Sequence, residues 1–397
     1  MKKSIQTLLK HTTKDKFNRS ANPPVVRAST ILFNSMQELY KQENKIKKHM
    51  KVSHYSYGRY GSSTTIELER MLKELEQAYH VFLTGTGFGG IALALMSLCR
   101  PGDEILVSDN VYGPTKEISE KLLKEFNISA IFYDPESFDD LRNKVTKKTK
   151  MILVENPGSI TFEFQDLSKI VNLAKRKKIF TLLDNTWGTP LYLKPLKLGF
   201  DMSFSSATKY FSGHSDAMGG SLAVNKKVFK KIMFFYKLSG YRMSADEAYL
   251  IIRGLRTLDT RLNHHYKNTL EVIKFLKKQK KIVEILYPHK TGSKNYKLWK
   301  KYYSGATGLF SIVVKSQNKS SVIKFVNKLE LFGIGYSWGG FESLAILQDL
   351  RASKDEYSQG RRFFRFKKDE HIVRLHIGLE NPKDLIADLK KSMKNIN

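Results

Sequence analysis

Two ionisable residues near the middle of the chain lie in segments that read as buried, so a role in solubility does not explain them. Lys209 lies among small and hydroxyl side chains in the run 205–216. Burial in such surroundings disfavours the charged ammonium, which is how proteins turn a lysine into a nucleophile. Asp184 ends the apolar run 179–183, and an acid at the carboxyl end of a buried strand faces the ligand crevice of an open α/β sheet. The pair predicts a reactive lysine and a carboxylate in one ligand site.

Pyridoxal phosphate (PLP) needs such an arrangement, because a carboxylate holds its ring nitrogen and a lysine forms a Schiff base with its aldehyde. Ser206 and Thr208 flank Lys209 at alternate positions, and we expect them to bind the phosphate. The competing interpretation is that both are ordinary turn-forming hydroxyls. With Asp184 in the same part of the chain, the residues favour a PLP site.

The glycine-rich run 84–90 follows a short strand pattern and opens an apolar helix pattern. We therefore expect the backbone amides of Gly87 and Phe88 to bind a phosphate at a helix N-terminus. The alternative is a Rossmann dinucleotide fingerprint, which requires an acid on a second strand roughly 20 residues further on. Here Asp103 precedes its strand, so the phosphate of PLP is the favoured ligand.

The segment 183–220 resembles the Cys/Met-metabolism family of PLP-dependent enzymes, and the resemblance extends from about Tyr57 to Leu389. It implies an α/β fold of the aspartate aminotransferase type (fold type I), with a mostly parallel central sheet and a smaller C-terminal α/β domain. It also implies a carbon–sulfur lyase of methionine biosynthesis that converts L-cystathionine by α,β-elimination to homocysteine, pyruvate and ammonia. Lys209 would then be both the cofactor's anchor and the base, while Asp184 keeps the pyridine nitrogen protonated.

Two residues near the N-terminus have a role only through this resemblance. It implies that Tyr57 and Arg59 reach into the site of a neighbouring subunit, where a planar guanidinium suits a phosphate. The active unit would then be at least a dimer, and we expect a homotetramer built as a dimer of dimers. From composition alone, both are ordinary loop residues.

Tyr112 follows the strand pattern 104–107. The resemblance implies that its ring stacks on the cofactor. Without the resemblance it would be a surface or core tyrosine. Tyr57 or Tyr112 is also expected to assist proton transfer as the thiolate leaves.

Arg374 lies in the nearly continuous apolar run 371–377, where an unpaired guanidinium would be costly. The α-carboxylate of a substrate would justify its position. The resemblance places Ser337 and Trp338 beside it in substrate binding. The alternative is a structural salt bridge to a buried acid.

The run Tyr336-Ser337-Trp338 resembles the β-lyase members of the family more than the γ-lyases and γ-synthases. One departure concerns Tyr60, because β-lyases often carry a second arginine directly after the residue that matches Arg59. Recognition of the distal carboxylate of cystathionine is therefore open. The alternatives are γ-lyase or γ-synthase chemistry, a cysteine or cystine lyase, and an alanine racemase that returns the Cα proton to the opposite face.

Composition limits the other classes of protein. The chain has 397 residues, of which 41% are hydrophobic and 12% aromatic, which indicates an ordered protein with two domains. Its net charge of +30 suggests nucleic acid, but the lysines lack an interleaved stacking-aromatic pattern or a zinc or helix-turn-helix signature. The longest apolar run, 88–99, is shorter than the roughly 20 residues that span a bilayer. We therefore expect no nucleic-acid partner and no membrane span.

The remaining motifs exclude further chemistry. Lys10 and the basic residues after it interrupt any N-terminal hydrophobic segment, so we expect a cytoplasmic protein. The single cysteine, Cys99, excludes an intrachain disulfide and a multi-cysteine metal site, and no metal is expected. His214 and Asp216 lack the G-x-S-x-G context of a serine hydrolase.

Strand and helix patterns alternate from residue 81 to 183, which predicts a doubly wound, mostly parallel sheet. After residue 258 the strands become fewer and helices lie between them. We expect an N-terminal arm over residues 1–60 that contacts a neighbouring subunit. A PLP-binding domain should follow over residues 61–257, and a C-terminal domain over residues 258–397.

Overall fold

The computed structural model describes residues 4–11, 20–49, 56–288, 291–351 and 360–396. The strands are β1 (His80–Thr84), β2 (Glu104–Ser108), β3 (Ser129–Tyr133), β4 (Thr149–Glu155), β5 (Phe180–Asp184), β6 (Met202–Ser206), β7 (Gly220–Val224), β8 (Ile282–Leu286), β9 (Leu309–Lys315), β10 (Leu344–Gln348) and β11 (Glu370–His376). The α-helices are α1 (Ile5–Lys10), α2 (Met36–His49), α3 (Ser63–Glu76), α4 (Gly87–Leu98), α5 (Gly113–Glu117), α6 (Leu123–Glu125), α7 (Phe138–Asn143), α8 (Leu167–Lys177), α9 (Thr189–Tyr192), α10 (Pro195–Leu198), α11 (Lys226–Ser239), α12 (Ala245–Leu255), α13 (Leu258–Leu276), α14 (Lys294–Tyr302), α15 (Lys319–Asn327) and α16 (Pro382–Ser392).

Within the described residues, the larger sheet has seven strands in the order β1-β7-β6-β5-β4-β2-β3. The five adjacent strands β3, β2, β4, β5 and β6 are parallel to one another, and β7 pairs antiparallel with both β6 and β1. The central strands are buried on both faces because helices cover each side, as their unbroken apolar runs predict. The expected mostly parallel sheet of an α/β fold is confirmed.

Strands β6 and β7, which carry the turn containing Lys209, were not predicted from the sequence. β6 reads Met-Ser-Phe-Ser-Ser, so small hydroxyl residues replace the β-branched residues that mark most strands. Its side chains are nevertheless largely buried, because neighbouring strands satisfy its backbone and helices pack on both faces. Tertiary context therefore decided the conformation here.

The smaller sheet joins β10, β11, β9 and β8 in that order, and every pair is antiparallel. β9 is buried on both faces up to its last residue, and β11 is buried along most of its length. The large apolar core continues from this sheet into the larger one through residues such as Trp187, Tyr303 and Phe310. The smaller sheet is thus held directly against the larger one.

The first part of the chain differs from expectation because it contains a helix, α2, where the sequence shows little periodicity. Leu32 is 90% exposed, and Met36 and Tyr40 of this region are more than half exposed. Their apolar surfaces pack on little of this chain, so the sequence lacks the pattern of a helix that contacts its own core. The three domain ranges stay predictions. No helix in the described ranges combines the length and apolarity that a membrane span requires.

Candidate active site

A cavity of about 210 Å³ lies where β4, β5 and β6 end and α4 begins. Eight of the residues singled out from the sequence line it: Gly87, Phe88, Tyr112, Asp184, Ser206, Thr208, Lys209 and Trp338. Carboxyl ends of parallel strands and a helix N-terminus thus meet at one edge of the larger sheet.

Asp184 is held at the end of β5 by the residue two positions later. Thr186 donates to Asp184 Oδ1 from its backbone N–H at 2.9 Å and from its hydroxyl at 2.5 Å. The same hydroxyl accepts a hydrogen bond from Ser206 N–H at 2.9 Å, which ties the ends of β5 and β6 together. Burial raises the pKa of Asp184 to about 6, opposed by the Thr186 hydrogen bonds and the charge of Lys209. Above that pH the side chain is a carboxylate.

Lys209 lies in the turn after β6. Its Nζ is 2.9 Å from Ser337 Oγ and 5.5 Å from the centre of the Trp338 ring. Burial lowers the pKa of Lys209 to about 8, helped by the positive charge of Arg374 and opposed by Asp184. The neutral, nucleophilic amine is therefore far more populated near neutral pH than in a lysine with an ordinary pKa.

The N-terminus of α4 approaches β6 closely. A Cβ on Gly87 would lie 2.5 Å from Ser206 Oγ, so only glycine allows this approach. The Thr86 side chain caps α4 by accepting from Gly89 N–H at 3.1 Å, and the amides of Gly87 and Phe88 lie between these two residues in the first turn of the helix. Thr208 Oγ1 accepts from Gly219 N–H at 3.0 Å and donates to Gly219 O at 3.3 Å. The amides of Gly87 and Phe88 and the Ser206 hydroxyl form a donor set suited to a phosphate, and Thr208 would join it by turning its hydroxyl from Gly219 O.

Glu155, at the end of β4, was missed by the sequence analysis. It pairs in register with Asp184 of β5 and lines the same cavity. Its Oε2 accepts from Tyr112 N–H at 2.6 Å, so it fixes the backbone of the residue expected to stack on the cofactor. Burial, with Asp184 close by, raises the pKa of Glu155 well above its ordinary value. The signal that identified Asp184, an acid at a strand end, was present here as well.

Arg374 and Ser337 approach Lys209 from the smaller sheet. Arg374 Nη2 donates to the carbonyl oxygens of Tyr336 and Ser337 at 2.7 and 3.2 Å. Its partners in the described part of the chain are backbone carbonyl oxygens and not an acid. These residues therefore do not form the structural salt bridge that was the alternative. Burial lowers the pKa of Arg374 to about 10, and the side chain stays a cation.

Tyr57 and Arg59 lie outside this cavity. Tyr57 is 47% exposed and pairs with Thr30 in an isolated bridge, while Arg59 is exposed and packs over the rings of Tyr57 and Tyr60. Gly58 between them is fixed by its N–H, which donates to Ser29 O at 2.7 Å. Within one chain the structure does not bring these two residues to Lys209.

The cavity's groups fit PLP. Asp184 offers a carboxylate for a protonated ring nitrogen, Lys209 an amine for an aldehyde, and the Gly87 region amides and hydroxyls for a phosphate. A side chain on Gly87 would collide with Ser206 Oγ, so the close approach of the α4 N-terminus to the end of β6 depends on this glycine. Among the residues that the structure describes, no cluster of three or more histidine, cysteine or acidic residues could hold a metal ion.

A family model of the Cys/Met metabolism PLP-dependent enzymes matches residues 6–394. The chain belongs to this family. Its cofactor is accordingly PLP, as the sequence predicted.

Three relatives show the range of activities within this family. A protein of Bordetella avium named cystathionine beta-lyase is 36% identical over 98% of this chain and 98% of its own length. The L-alanine/L-glutamate racemase of Wolbachia pipientis wMel is 34% identical over 96% of this chain and 94% of its own. The cystathionine gamma synthase of Xanthomonas oryzae pv. oryzae, solved in complex with cystathionine, superposes with a TM-score of 0.87 at 26% identity over 100% of this chain and 99% of its own.

Proposed function

We propose that this enzyme is a carbon–sulfur lyase that converts L-cystathionine by α,β-elimination to homocysteine, pyruvate and ammonia. The observation that carries the proposal is the convergence of Lys209 with the segment held by Arg374, since Lys209 Nζ lies 2.9 Å from Ser337 Oγ. A base and a carboxylate-binding cation are thereby brought together in front of the cofactor cavity. The similarity to the Bordetella avium cystathionine beta-lyase supports this choice of substrate.

Bound PLP would supply an electron sink for the negative charge that forms at the substrate Cα. Asp184 would hold the proton on the ring nitrogen, because it is a carboxylate above a pH of about 6 and is fixed by Thr186. Gly87, Phe88, Ser206 and Thr208 would bind the phosphate. These contacts would place the cofactor against the ends of β5 and β6.

Lys209 would remove the Cα proton of the substrate, and its lowered pKa suits a base that works near neutral pH. Ser337 accepts a hydrogen bond from this amine and so limits the directions in which it can point. The amine also lies over the face of the Trp338 ring, which would shield it from water on that side. The proton would therefore move over a short, defined path.

Arg374 would bind the α-carboxylate of the substrate. Its three hydrogen bonds to the described residues all leave from Nη2, so Nε and Nη1 donate to none of them. A carboxylate can accept from two nitrogens of one guanidinium. Such binding would align the Cα–H bond with Lys209.

The remaining roles belong to the same proposal. Tyr112 would stack on the cofactor ring, and Tyr112 or a neighbouring subunit's Tyr57 would protonate the departing thiolate. Burial raises the pKa of Tyr112, which keeps its hydroxyl protonated. Arg59 of the neighbouring subunit would contact the phosphate. The enzyme would act as a homotetramer in the cytoplasm, as a step of methionine biosynthesis.

The first experiment is a product assay with the purified protein and L-cystathionine, in parallel with L-cystine and L-cysteine. We expect a visible absorbance band from the bound cofactor, together with pyruvate and homocysteine in equal amounts. Lys209→Ala should lower pyruvate formation by about 1,000-fold, as expected for loss of a general base. Formation of 2-oxobutanoate and cysteine instead would assign γ-elimination and refute the proposal.

A second candidate activity is racemisation of L-alanine, favoured by the similarity to the Wolbachia racemase. Alanine carries no leaving group at Cβ, so no elimination can follow removal of the Cα proton, and return of a proton to the opposite face would give D-alanine. Tyr112 or Tyr57 would have to donate on the face opposite to Lys209. Incubation with L-alanine followed by chiral chromatography decides the matter, and absence of D-alanine would exclude this activity.

A further inference from the structure

We propose that His376 is a positioning residue that fixes residues 335–343, here called the substrate segment, relative to Lys209. The inference rests on the proposed function, because it concerns the residues assigned there to the substrate. No motif in the sequence marks His376 apart from its place in the apolar run of β11.

The imidazole of His376 holds two backbone groups of the substrate segment. Its Nε2 accepts a hydrogen bond from Gly339 N–H at 3.1 Å, and its Nδ1 donates to Glu342 O at 3.0 Å. One nitrogen must accept while the other donates, so these contacts require the neutral tautomer with the proton on Nδ1. Burial and the nearby His265, Arg374 and Lys209 lower the pKa of His376 well below its ordinary value, in agreement with that tautomer.

His376 and Arg374 divide the substrate segment between them. They are two positions apart on β11 and therefore project from the same face of the strand. Arg374 donates to carbonyl oxygens of Gly335, Tyr336 and Ser337, and His376 holds the part from Gly339 onward. Two side chains of one strand thus determine where an irregular segment lies.

The segment in turn lies directly on the backbone of Lys209. Gly339 has a φ of +88°, and a Cβ there would be 3.0 Å from Tyr210 N and 3.1 Å from the carbonyl carbon of Lys209. The Trp338 ring packs edge-on against Tyr210, with centroids 5.4 Å apart. A displacement of Gly339 would therefore move Ser337 and Trp338 away from the Lys209 amine.

Two substitutions with amide side chains distinguish the two hydrogen bonds that His376 makes. His376→Gln places an amide oxygen near the position of Nε2 and can still accept from Gly339 N–H. His376→Asn is too short to reach Gly339 but keeps a donor near Glu342 O. We expect His376→Asn to raise the KM for L-cystathionine about tenfold, which corresponds to loss of one buried hydrogen bond, and His376→Gln to restore it to within about threefold of wild type. The absorbance of bound PLP should be unchanged in both, because the cofactor's anchors lie on the larger sheet.

His371 on the same strand provides the matched control. It is also buried, and its Nε2 hydrogen-bonds Ser316 O at 3.0 Å, away from the substrate segment. His371→Asn should lower the thermal stability as much as His376→Asn does, but leave the KM at its wild-type value.

Hydrogen exchange of a peptide that spans residues 337–343 gives a readout that needs no activity. The amide of Gly339 should exchange faster in His376→Asn than in wild type, and slowly again in His376→Gln. An unchanged exchange rate, or a KM increase that His371→Asn shares and His376→Gln does not reverse, would overturn the proposal. If the wild-type protein releases no pyruvate while the exchange pattern follows expectation, the proposed function fails and the positioning role of His376 stands.

Discussion

The two sides of the cavity are built by different means. The cofactor side, formed by Gly87, Asp184, Ser206 and Lys209, rests on strand ends and a helix N-terminus whose backbones are fixed by ladder hydrogen bonds. The substrate segment lacks regular structure over most of its length and is held by side chains of β11. A side-chain substitution leaves the ladder hydrogen bonds of the cofactor side in place, whereas on β11 it can remove one of the few bonds that hold the substrate segment. The comparison predicts that changes on the cofactor side act on kcat and on PLP binding, and that changes to the substrate segment act on the KM.

The largest effect expected from the cofactor side comes from Asp184→Asn. Removal of this charge weakens the hold on the protonated ring nitrogen, so kcat for pyruvate formation should fall about 100- to 1,000-fold. Steady-state kinetics at saturating L-cystathionine measures this loss. Asp201→Asn is the matched control, because Asp201 is buried and accepts from Thr181 N–H and Asn225 Nδ2 away from the cavity. It should lower stability and leave kcat unchanged, and equal losses in the two variants would contradict the role of Asp184.

The second largest effect is expected from a methyl group added on the cofactor side, and it concerns the affinity for PLP. Gly87→Ala places a Cβ 2.5 Å from Ser206 Oγ, so we expect the Kd for PLP to rise about tenfold or more, as for a loss of 1.4 kcal/mol or above. Titration of the cofactor-free protein followed by absorbance gives the Kd. Gly240→Ala serves as control, because Gly240 has a positive φ of +72° but no heavy atom within 4 Å. PLP binding as tight in Gly87→Ala as in Gly240→Ala would count against the phosphate site.

A methyl group added on the substrate segment should change the KM for the substrate rather than the Kd for PLP. Gly339→Ala forces a left-handed residue against the backbone of Tyr210 and Lys209, so the KM for the amino-acid substrate should rise roughly three- to tenfold, in the range of one disturbed contact. The Kd for PLP should stay near the wild-type value. The variants Gly87→Ala and Gly339→Ala therefore test the comparison directly. If both change the Kd for PLP, or both change only the KM, the two sides of the cavity do not act separately.

The smallest effect concerns pH. Burial lowers the pKa of Lys209 to about 8 in the cofactor-free chain, and only the neutral amine attacks an aldehyde. Because a lysine loses its proton as the pH rises, the rate of PLP uptake should increase up to a pH of about 8 and then level off. Stopped-flow absorbance measures this rate. A rate that still rises steeply toward pH 10 would show that the lysine keeps an ordinary pKa.

Sequence reasoning succeeded where local pattern and tertiary environment agree. Strands β2 to β5 show apolar runs of the right length. Asp184 stands out because its charge ends such a run, and Lys209 because it lies among small and hydroxyl side chains. β6 was missed because alternating serines carry no strand signal. Exposed helix α2 was missed because its apolar residues do not pack on this chain's core. These elements depend on neighbours that are distant in sequence.

The part of the site that could not be predicted consists of contacts to backbone groups. Glu155 holds the amide of Tyr112, and His376 holds the amide of Gly339. The position of Glu155 at a strand end was visible in the sequence, but the backbone partner of neither side chain was, because any backbone amide offers the same donor. Tyr57 and Arg59 remain predictions, since their expected partners lie in a neighbouring subunit.

The pairing of β1 with β7 also sets the order of events during synthesis. His80 pairs with Val224, and Thr84 pairs with Gly220. The pairing of β1 with β7 therefore cannot be completed until the chain has grown past residue 224. Gly87 likewise meets Ser206 only after β6 has emerged. Contacts between residues so far apart in sequence form late. A nascent chain that stops before residue 220 will therefore not capture the vitamin B6 cofactor, and ribosome-bound chains of increasing length should acquire it in a single step.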